Sequence, residues 1–263
     1  MQKDILKPTT RFTEKAKYYH ANRPGYPKEV LTTIIQITKI KPDPSYIIAD
    51  IGSGTGKLSE LFLDYGSTVI GIEPNEAMRE IGEIEMKKYE NFVSIDGTAE
   101  FTGIKDHSID FIIAGQSFHW FNLSKTRREF LRILKPHKYA MIVWNNRNKE
   151  SCHFFRDYET ILKDFGTDYQ EVTKKRIGKK EFSNFFSTES YKRFLFTNKQ
   201  QLDYEGIRGR ILSTSFVPTE ESEVYLAMIQ KLKQIFKKHQ QNNLIELEYE
   251  TEMYISKLFT NSH

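Results

Sequence analysis

The chain has 263 residues, 38% of them hydrophobic and 28% charged, which permits a full buried core and excludes a disordered chain. Lys and Arg number 39 against 35 Asp and Glu, and a net charge of +4 is too small by itself to imply a nucleic-acid partner. The single cysteine, Cys152, excludes an intramolecular disulfide and a cysteine-rich zinc site.

Residues 12–22 read as helical, Arg23-Pro24-Gly25-Tyr26-Pro27 as a turn, and residues 28–40 as a second helix stopped by Pro42 and Pro44. An apolar run from Tyr46 to Ala49 then ends in Asp50 and in three alternate glycines, Gly52, Gly54 and Gly56. A helix-compatible segment, 57–65, follows at once. A second strand at 68–72 closes on Glu73, and Asn75 is placed to cap a helix reaching about Tyr89. A third strand, 92–95, ends in Asp96, and a fourth, 109–114, ends just before Gln116. A helix over 124–134 is closed by Pro136, and a fifth strand covers 139–144. Strands alternating with helices predict a doubly wound, mostly parallel α/β sheet. Beyond residue 150 the pattern changes to a helix at 151–165, a strand at 191–197, helices at 204–213 and 219–239, and an alternating strand at 244–256. Alternation predicts an antiparallel strand with one face solvated. The expected organisation is an N-terminal helical lid (1–45), a Rossmann-like core (46–150), and a C-terminal part (151–263) that completes the sheet and carries a helical cap.

Strand, glycine turn and helix together build a cofactor crevice at the carboxyl ends of parallel strands. Glycine suits the turn because it tolerates positive φ and has no Cβ to hold a ligand off the backbone. The spacing selects the ligand. Lys57 stands where a dinucleotide-binding turn asks for its third glycine, which argues against an NAD-dependent oxidoreductase. Ile51 stands where a phosphate loop needs its first glycine, and Leu58 where it needs a hydroxyl. What remains is Asp-x-Gly-x-Gly-x-Gly with an acid after the second strand. This pattern resembles motifs I and II of class I S-adenosylmethionine (SAM) methyltransferases.

Further pieces narrow the resemblance. They are Tyr18-Tyr19-x-x-x-Arg23-Pro24-x-Tyr26-Pro27, Gly97-Thr98-Ala99-Glu100, Gln116-Ser117-Phe118-His119-Trp120-Phe121 and Tyr249-x-Thr251-x-x-Tyr254. Together they resemble the trans-aconitate-methyltransferase-like (methyltransferase type 11) branch. The resemblance implies a Rossmann-like seven-stranded sheet with an antiparallel last strand. It also implies SAM as cofactor and S-adenosylhomocysteine (SAH) as product. It sets Asp50, Gly52, Gly54 and Gly56 beside the methionyl part, Glu73 on the ribose, and Pro74 and Met78 near the adenine. Asp96, Gly97, Ala99 and Glu100 are expected to read the adenine edge, with Gln116 and Ser117 facing the sulfonium. His119 is the candidate general base or acceptor-orienting group, and Trp120 a wall of the site. Tyr18, Tyr19, Arg23 and Tyr26 are expected to fold over the pocket. Arg23, Arg147, Arg208 and Arg210 are candidates to grip an acidic acceptor, since a guanidinium fork matches a carboxylate.

His137, His153 and His239 show no metal spacing, so no metal is expected. The clusters Lys174-Lys175-Arg176, Lys179-Lys180 and Lys237-Lys238 read as solvated faces and not as a phosphate-tracking stripe, against the alternative reading of an RNA methyltransferase. The N-terminus has no apolar h-region and no stretch approaches the roughly 18 residues of a membrane span. The expectation is a cytoplasmic enzyme acting on a small-molecule carboxylate or hydroxyl, with its oligomeric state open.

Overall fold

The computed structural model describes residues 13–40, 42–167, 169, 177–186 and 191–259. Residues 1–12 of the expected lid and the Lys174-Lys175-Arg176 cluster lie outside the described residues. Among the described residues, one seven-stranded sheet runs in the order β3-β2-β1-β4-β5-β7-β6. The strands are β1 (Ile47–Ile51), β2 (Thr68–Ile72), β3 (Phe92–Ile95), β4 (Ile109–Gly115), β5 (Leu134–Arg147), β6 (Lys192–Leu202) and β7 (Ile245–Lys257). Strands β1 to β5 pair in parallel, and β7 pairs antiparallel with both β5 and β6. The chain leaves β1 for β2 and β3 and then returns to lay β4 against the other side of β1. That reversal opens a crevice at the carboxyl ends of β1 and β4.

The helices are α1 (Ala16–Asn22), α2 (Lys28–Thr38), α3 (Lys57–Leu63), α4 (Glu76–Met86), α5 (Leu123–Ile133), α6 (His153–Phe165), α7 (Lys179–Phe186), α8 (Tyr204–Leu212) and α9 (Tyr225–His239). Their starts follow from local chemistry. The Asn75 side chain accepts from the Met78 backbone N–H at 3.0 Å, as expected of the cap of α4, and Asn122 and Asp203 cap α5 and α8 in the same way.

Strand β4 is buried on both faces, as the centre of a parallel sheet requires. On one side Val30, Ile34, Phe62, Met141 and Met253 form a core; on the other, Ile51, Ile112, Phe118, Phe130 and Phe182 form another. A third core joins α6, α8 and α9 to the far end of β7 through Phe155, Ile211, Met228 and Tyr249. Each fully buried aromatic of this kind contributes roughly 1.5–3 kcal/mol.

Four elements differ from the sequence reading, the first being α9, which starts at Tyr225 and not at residue 219. Strand β5 begins at Leu134, before Pro136, because the pairing with β4 breaks register between Ile109 and Phe111 and absorbs the proline there. Strand β6 runs on to Leu202, since β7 is long enough to pair with it throughout. Helix α7 was not anticipated; it buries Phe182, Phe185 and Phe186, an i, i+3, i+4 stripe, beneath Phe118 and Trp144. Lys179, Lys180 and Lys237 are exposed, and Lys238 pairs with Asp157. No helix of the described residues is long and apolar enough to cross a membrane.

Candidate active site

A cavity of about 250 Å³ opens where β1 and β4 end. Its floor is the glycine turn, in which Gly52, Gly54 and Gly56 take φ of 69°, 57° and 83°. A Cβ on Gly52 would lie 2.6 Å from Ser117 Cβ, so the turn after β1 and the turn after β4 touch only because glycine stands there. Ser117 reinforces that contact by donating its hydroxyl to the Ile51 carbonyl at 2.8 Å.

Two acids hold the turn. Asp50 is buried, and one carboxylate oxygen accepts from Ser59 Oγ at 2.7 Å. The other, Oδ1, is buried without a hydrogen-bond partner among the described residues. Burial, partly offset by the Ser59 hydrogen bond and reinforced by the nearby Glu73 charge, pushes the Asp50 carboxyl up to about 7. Glu73 accepts from the Gly54 and Asn75 backbone N–H groups, both at 2.9 Å, so the acid after β2 ties the turn after β1 to the start of α4. Burial raises its pKa as well, against the opposing pull of those two N–H groups. An orphaned carboxylate oxygen beside a glycine cradle fits the ammonium end of an amino-acid-bearing cofactor. Each oxygen of Glu73 keeps a lone pair that a sugar hydroxyl can use.

Pro74, Met78, Ala99, Glu100, Gln116 and Ser117 all line the cavity with Asp50, Gly52, Gly54 and Glu73. Gln116 takes φ of 58°, a strained value for a side-chain-bearing residue, at the mouth of β4. Three residues assigned to the cofactor lie off the cavity. Gly56 faces α4, where its Cβ would meet Met86 Cγ at 2.9 Å. Asp96 is exposed and sits 3.4 Å from Arg79 Nη1. Gly97 is packed between Ile72 and the Thr102 carbonyl.

The roof comes from distant parts of the chain. Tyr19, Arg23, Pro24 and Tyr26 line it, with Trp120, Phe121, Asn145 and Arg210. The Gly25 carbonyl accepts from Asn145 Nδ2 (3.0 Å) and Asn198 Nδ2 (2.9 Å), which pins the Arg-Pro-Gly-Tyr-Pro turn to β5 and β6. Arg23 donates from Nε to Ser213 Oγ and from Nη2 to the Ser213 carbonyl, both at 2.9 Å. Burial first, and the neighbouring Arg210 charge second, lower the Arg23 pKa to about 10. His20, on α1, meets the Thr55 carbonyl of the glycine turn at 3.0 Å and so fastens the roof to the floor.

Other expected roof residues lie elsewhere. Tyr18 donates to Glu220 at 3.0 Å, and Arg147 sits 3.2 Å from Glu159, so neither reaches the cavity. Arg208 pairs with Glu205 and Glu220 outside it. His119 does not line the cavity; its ring stacks obliquely on Trp120, centroids 4.8 Å apart, and Trp120 takes the lining position. Sequence reasoning passed over Ser53, Thr55, Lys57 and Leu58 as lining residues, although they are part of the turn it identified. It also passed over Asn145, whose signal was a polar residue directly after the apolar run 139–144, where the parallel pairing with β4 ends. Among the described residues, no His, Cys, Asp and Glu side chains gather in a group of three able to hold a metal ion.

Residues 49–142 match the family model of a methyltransferase domain. The chain is 26% identical over 243 residues to the uncharacterized methyltransferase-like protein C25B8.10 of Schizosaccharomyces pombe, covering 91% of this chain and 92% of that one. It is 25% identical over 221 residues to the uncharacterized methyltransferase Rv3342 of Mycobacterium tuberculosis, covering 84% and 83%. A solved structure described as a type II methyltransferase from Anaeromyxobacter dehalogenans superposes with a TM-score of 0.63 at 15% identity, over 89% of this chain and 97% of that one, a likeness of fold. The glycine turn, the two acids and these likenesses define a class I SAM-dependent methyltransferase. SAM is its cofactor.

Proposed function

We propose that this enzyme transfers the methyl group to an oxygen of a small molecule, a carboxylate or a hydroxyl, in the manner of the trans-aconitate-methyltransferase-like branch. The observation that carries this reading is the roofed cavity, in which residues 19–26, Asn145 and Arg210 close over the glycine turn. A cavity covered in this way suits a detached small acceptor better than a base held in a nucleic-acid strand. In this division of labour, α1 and the Arg-Pro-Gly-Tyr-Pro turn are the lid while α2 packs on the sheet, 46–150 hold the cofactor, and the part beyond residue 150 completes the sheet and caps the acceptor.

When bound, SAM would supply a sulfonium methyl group to the acceptor oxygen, the C–S electron pair staying with SAH, and a hydroxyl acceptor would release its proton to solvent. The chain's own residues position the partners. Asp50 Oδ1 takes the cofactor ammonium, and Glu73 takes the ribose hydroxyls while keeping the turn in place. Gln116 and Ser117, at the end of β4, set the face from which the acceptor approaches, and Trp120 and Phe121 exclude water. A carboxylate acceptor arrives deprotonated at neutral pH, so approximation and alignment carry the rate and no base is required. The position of His119 beside Trp120 supports a role in orienting that wall.

The test is a thermal-shift and calorimetric comparison of SAH with NAD, followed by transfer of labelled methyl from SAM to small-acid and RNA pools. One SAH per chain, no response to NAD, and label in the small-molecule fraction are expected. Label in RNA would overturn the small-molecule reading.

A further inference from the structure

Arg210 lies on the last turn of α8, is only 4% exposed, and lines the cavity. Its Nε reaches the Tyr249 hydroxyl at 3.3 Å, while its Nη1 is buried with no hydrogen-bond partner among the described residues. A guanidinium is always charged, and a buried charge left without a counter-ion is costly. Against burial, Tyr249 and Tyr158 favour the charged form, but neither supplies a counter-charge, and two further cations stand close by. Arg23 and Arg147 are both buried and both feel the Arg210 charge, which lowers their proton affinity after the larger effect of burial itself. Glu159 balances Arg147 and Lys149, at 3.2 and 2.8 Å, on the side away from the cavity.

The packing that places Arg210 is tightly fitted. A Cβ on Gly209 would lie 2.2 Å from Asn22 Nδ2, so glycine before Arg210 leaves room for the Asn22 side chain at the end of α1. Tyr249, which receives Arg210 Nε, is itself buried and leans edge-on against Phe155 with centroids 5.3 Å apart. A long cation is therefore held in a fixed pose over the cavity, with a free donor. Its neighbour Arg23 has its Nε and Nη2 occupied by Ser213 and Thr214.

We propose that Arg210 is the specificity-determining anchor of the acceptor, and that the acceptor is a small molecule bearing a carboxylate that Arg210 binds. This rests on the reading of the cavity as a small-molecule methyl-transfer site. The anchored carboxylate neutralises the arginine cluster and fixes the acceptor at its roof end. A second oxygen of the same molecule is then presented towards Gln116 and Ser117, where β4 ends. The acceptor has two polar ends, and Arg210 measures one of them.

The experiment uses the full chain saturated with SAH. Succinate, glutarate and adipate are titrated by calorimetry and compared with the corresponding neutral diamides, in wild type, Arg210→Met and Arg210→Lys. Wild type is expected to bind at least one diacid and to prefer it to its diamide by about tenfold or more. Arg210→Met should lose that preference, and Arg210→Lys should recover part of it, because charge is restored without the planar fork. SAH affinity should stay within about threefold in both variants, since Arg210 touches the roof and not the glycine turn. Binding of no diacid by SAH-loaded wild type overturns the proposal, as does equal binding of diacid and diamide. Unchanged diacid binding by a folded Arg210→Met protein overturns it too. If Arg210→Met does not fold, the wild-type comparison and Arg210→Lys decide. Failure of wild type to bind SAH is a separate result, and it would strike at the cofactor site itself.

Discussion

The floor and the roof of the cavity are built on different principles. The floor is backbone: a glycine turn, two strand ends and a helix start, tied by contacts of shorter chain separation than the roof's, the longest being Ser117 to Ile51 across 66 residues. Asp50 and Ser59 are nine residues apart, and Glu73 reaches Gly54 across nineteen. The roof is side chains drawn from remote segments: Arg23 meets Ser213 across 190 residues, and Asn198 meets Gly25 across 173. A backbone floor suits a cofactor whose shape never varies. A side-chain roof can be changed residue by residue without disturbing the floor, which is how one fold serves many acceptors.

The sharpest way to break the comparison is to put a side chain into the floor. Gly52→Ala places a Cβ 2.6 Å from Ser117 Cβ at a φ of 69°, and neither backbone can yield without pulling β1 and β4 apart. SAH affinity should fall by on the order of 100-fold or more, with a loss of stability of roughly 1–3 kcal/mol from the strained turn. Calorimetry and a denaturant titration read the two effects. Near-normal SAH binding in this variant would show that the turn is not the floor. Glu73→Ala comes next. It removes the charged partner of the ribose and leaves the Gly54 and Asn75 N–H groups unsatisfied, so affinity should drop by roughly 10- to 150-fold. The same measurement on Glu73→Gln should recover only a part, since an amide restores one acceptor and no charge.

How far the two walls were legible follows the same divide. The floor could be read because a helix start, a glycine turn and a strand-ending acid each leave a local mark at fixed spacing. Pro74, Met78, Ala99 and Glu100 came with it, carried by the family resemblance, and each lines the cavity. Asp96 and Gly97 came from the same resemblance and lie outside, Asp96 because Arg79 holds it at the surface. On the roof, four arginines looked alike in sequence. Only packing separates them: Arg147 and Arg208 are turned towards Glu159 and Glu205, Arg23 is occupied by Ser213, and Arg210 keeps an open donor. Helix α7 was missed although Phe182, Phe185 and Phe186 carry helical spacing, because eight residues are too few to stand out from the flanking loops.

A smaller effect comes from titrating the floor. Burial holds the Asp50 carboxyl at about 7, so between about pH 4 and 7 the folded state keeps a proton that the unfolded chain has lost. Its contribution to stability therefore falls as pH rises through that window and is flat above it. Cofactor capture has the opposite sign, because the ammonium group needs the ionised carboxylate. SAH affinity should rise between pH 5.5 and 7 by up to about tenfold per unit and then level off. Asp50→Asn should bind weakly with no such slope. Calorimetry in buffers of different ionisation enthalpy should also record a proton released on binding below pH 7, and its absence would remove Asp50 from the cofactor's ammonium.

The smallest effect on the cofactor should come from loosening the roof, and that is what makes it informative. Arg23→Ala removes two 2.9 Å hydrogen bonds to Ser213 and the cation over the Tyr19 ring, 4.9 Å from its centroid. Those contacts join the N-terminal turn to the end of α8, while His20 and the Gly25 carbonyl keep their own ties to the floor and sheet. The segment 16–27 should then exchange its amide hydrogens faster, by roughly ten- to thirtyfold for a loss of about 1.5–2 kcal/mol of local protection. SAH affinity should change by less than about threefold, because no floor contact is lost. Turnover of an acceptor should suffer through KM, since the arginine that steadies the roof also keeps Arg210 in register over the cavity. A variant in which SAH binding collapses together with the exchange protection would show roof and floor to be one cooperative unit, and the freedom of the roof to diversify would then have to be sought in single side chains, Arg210 first among them.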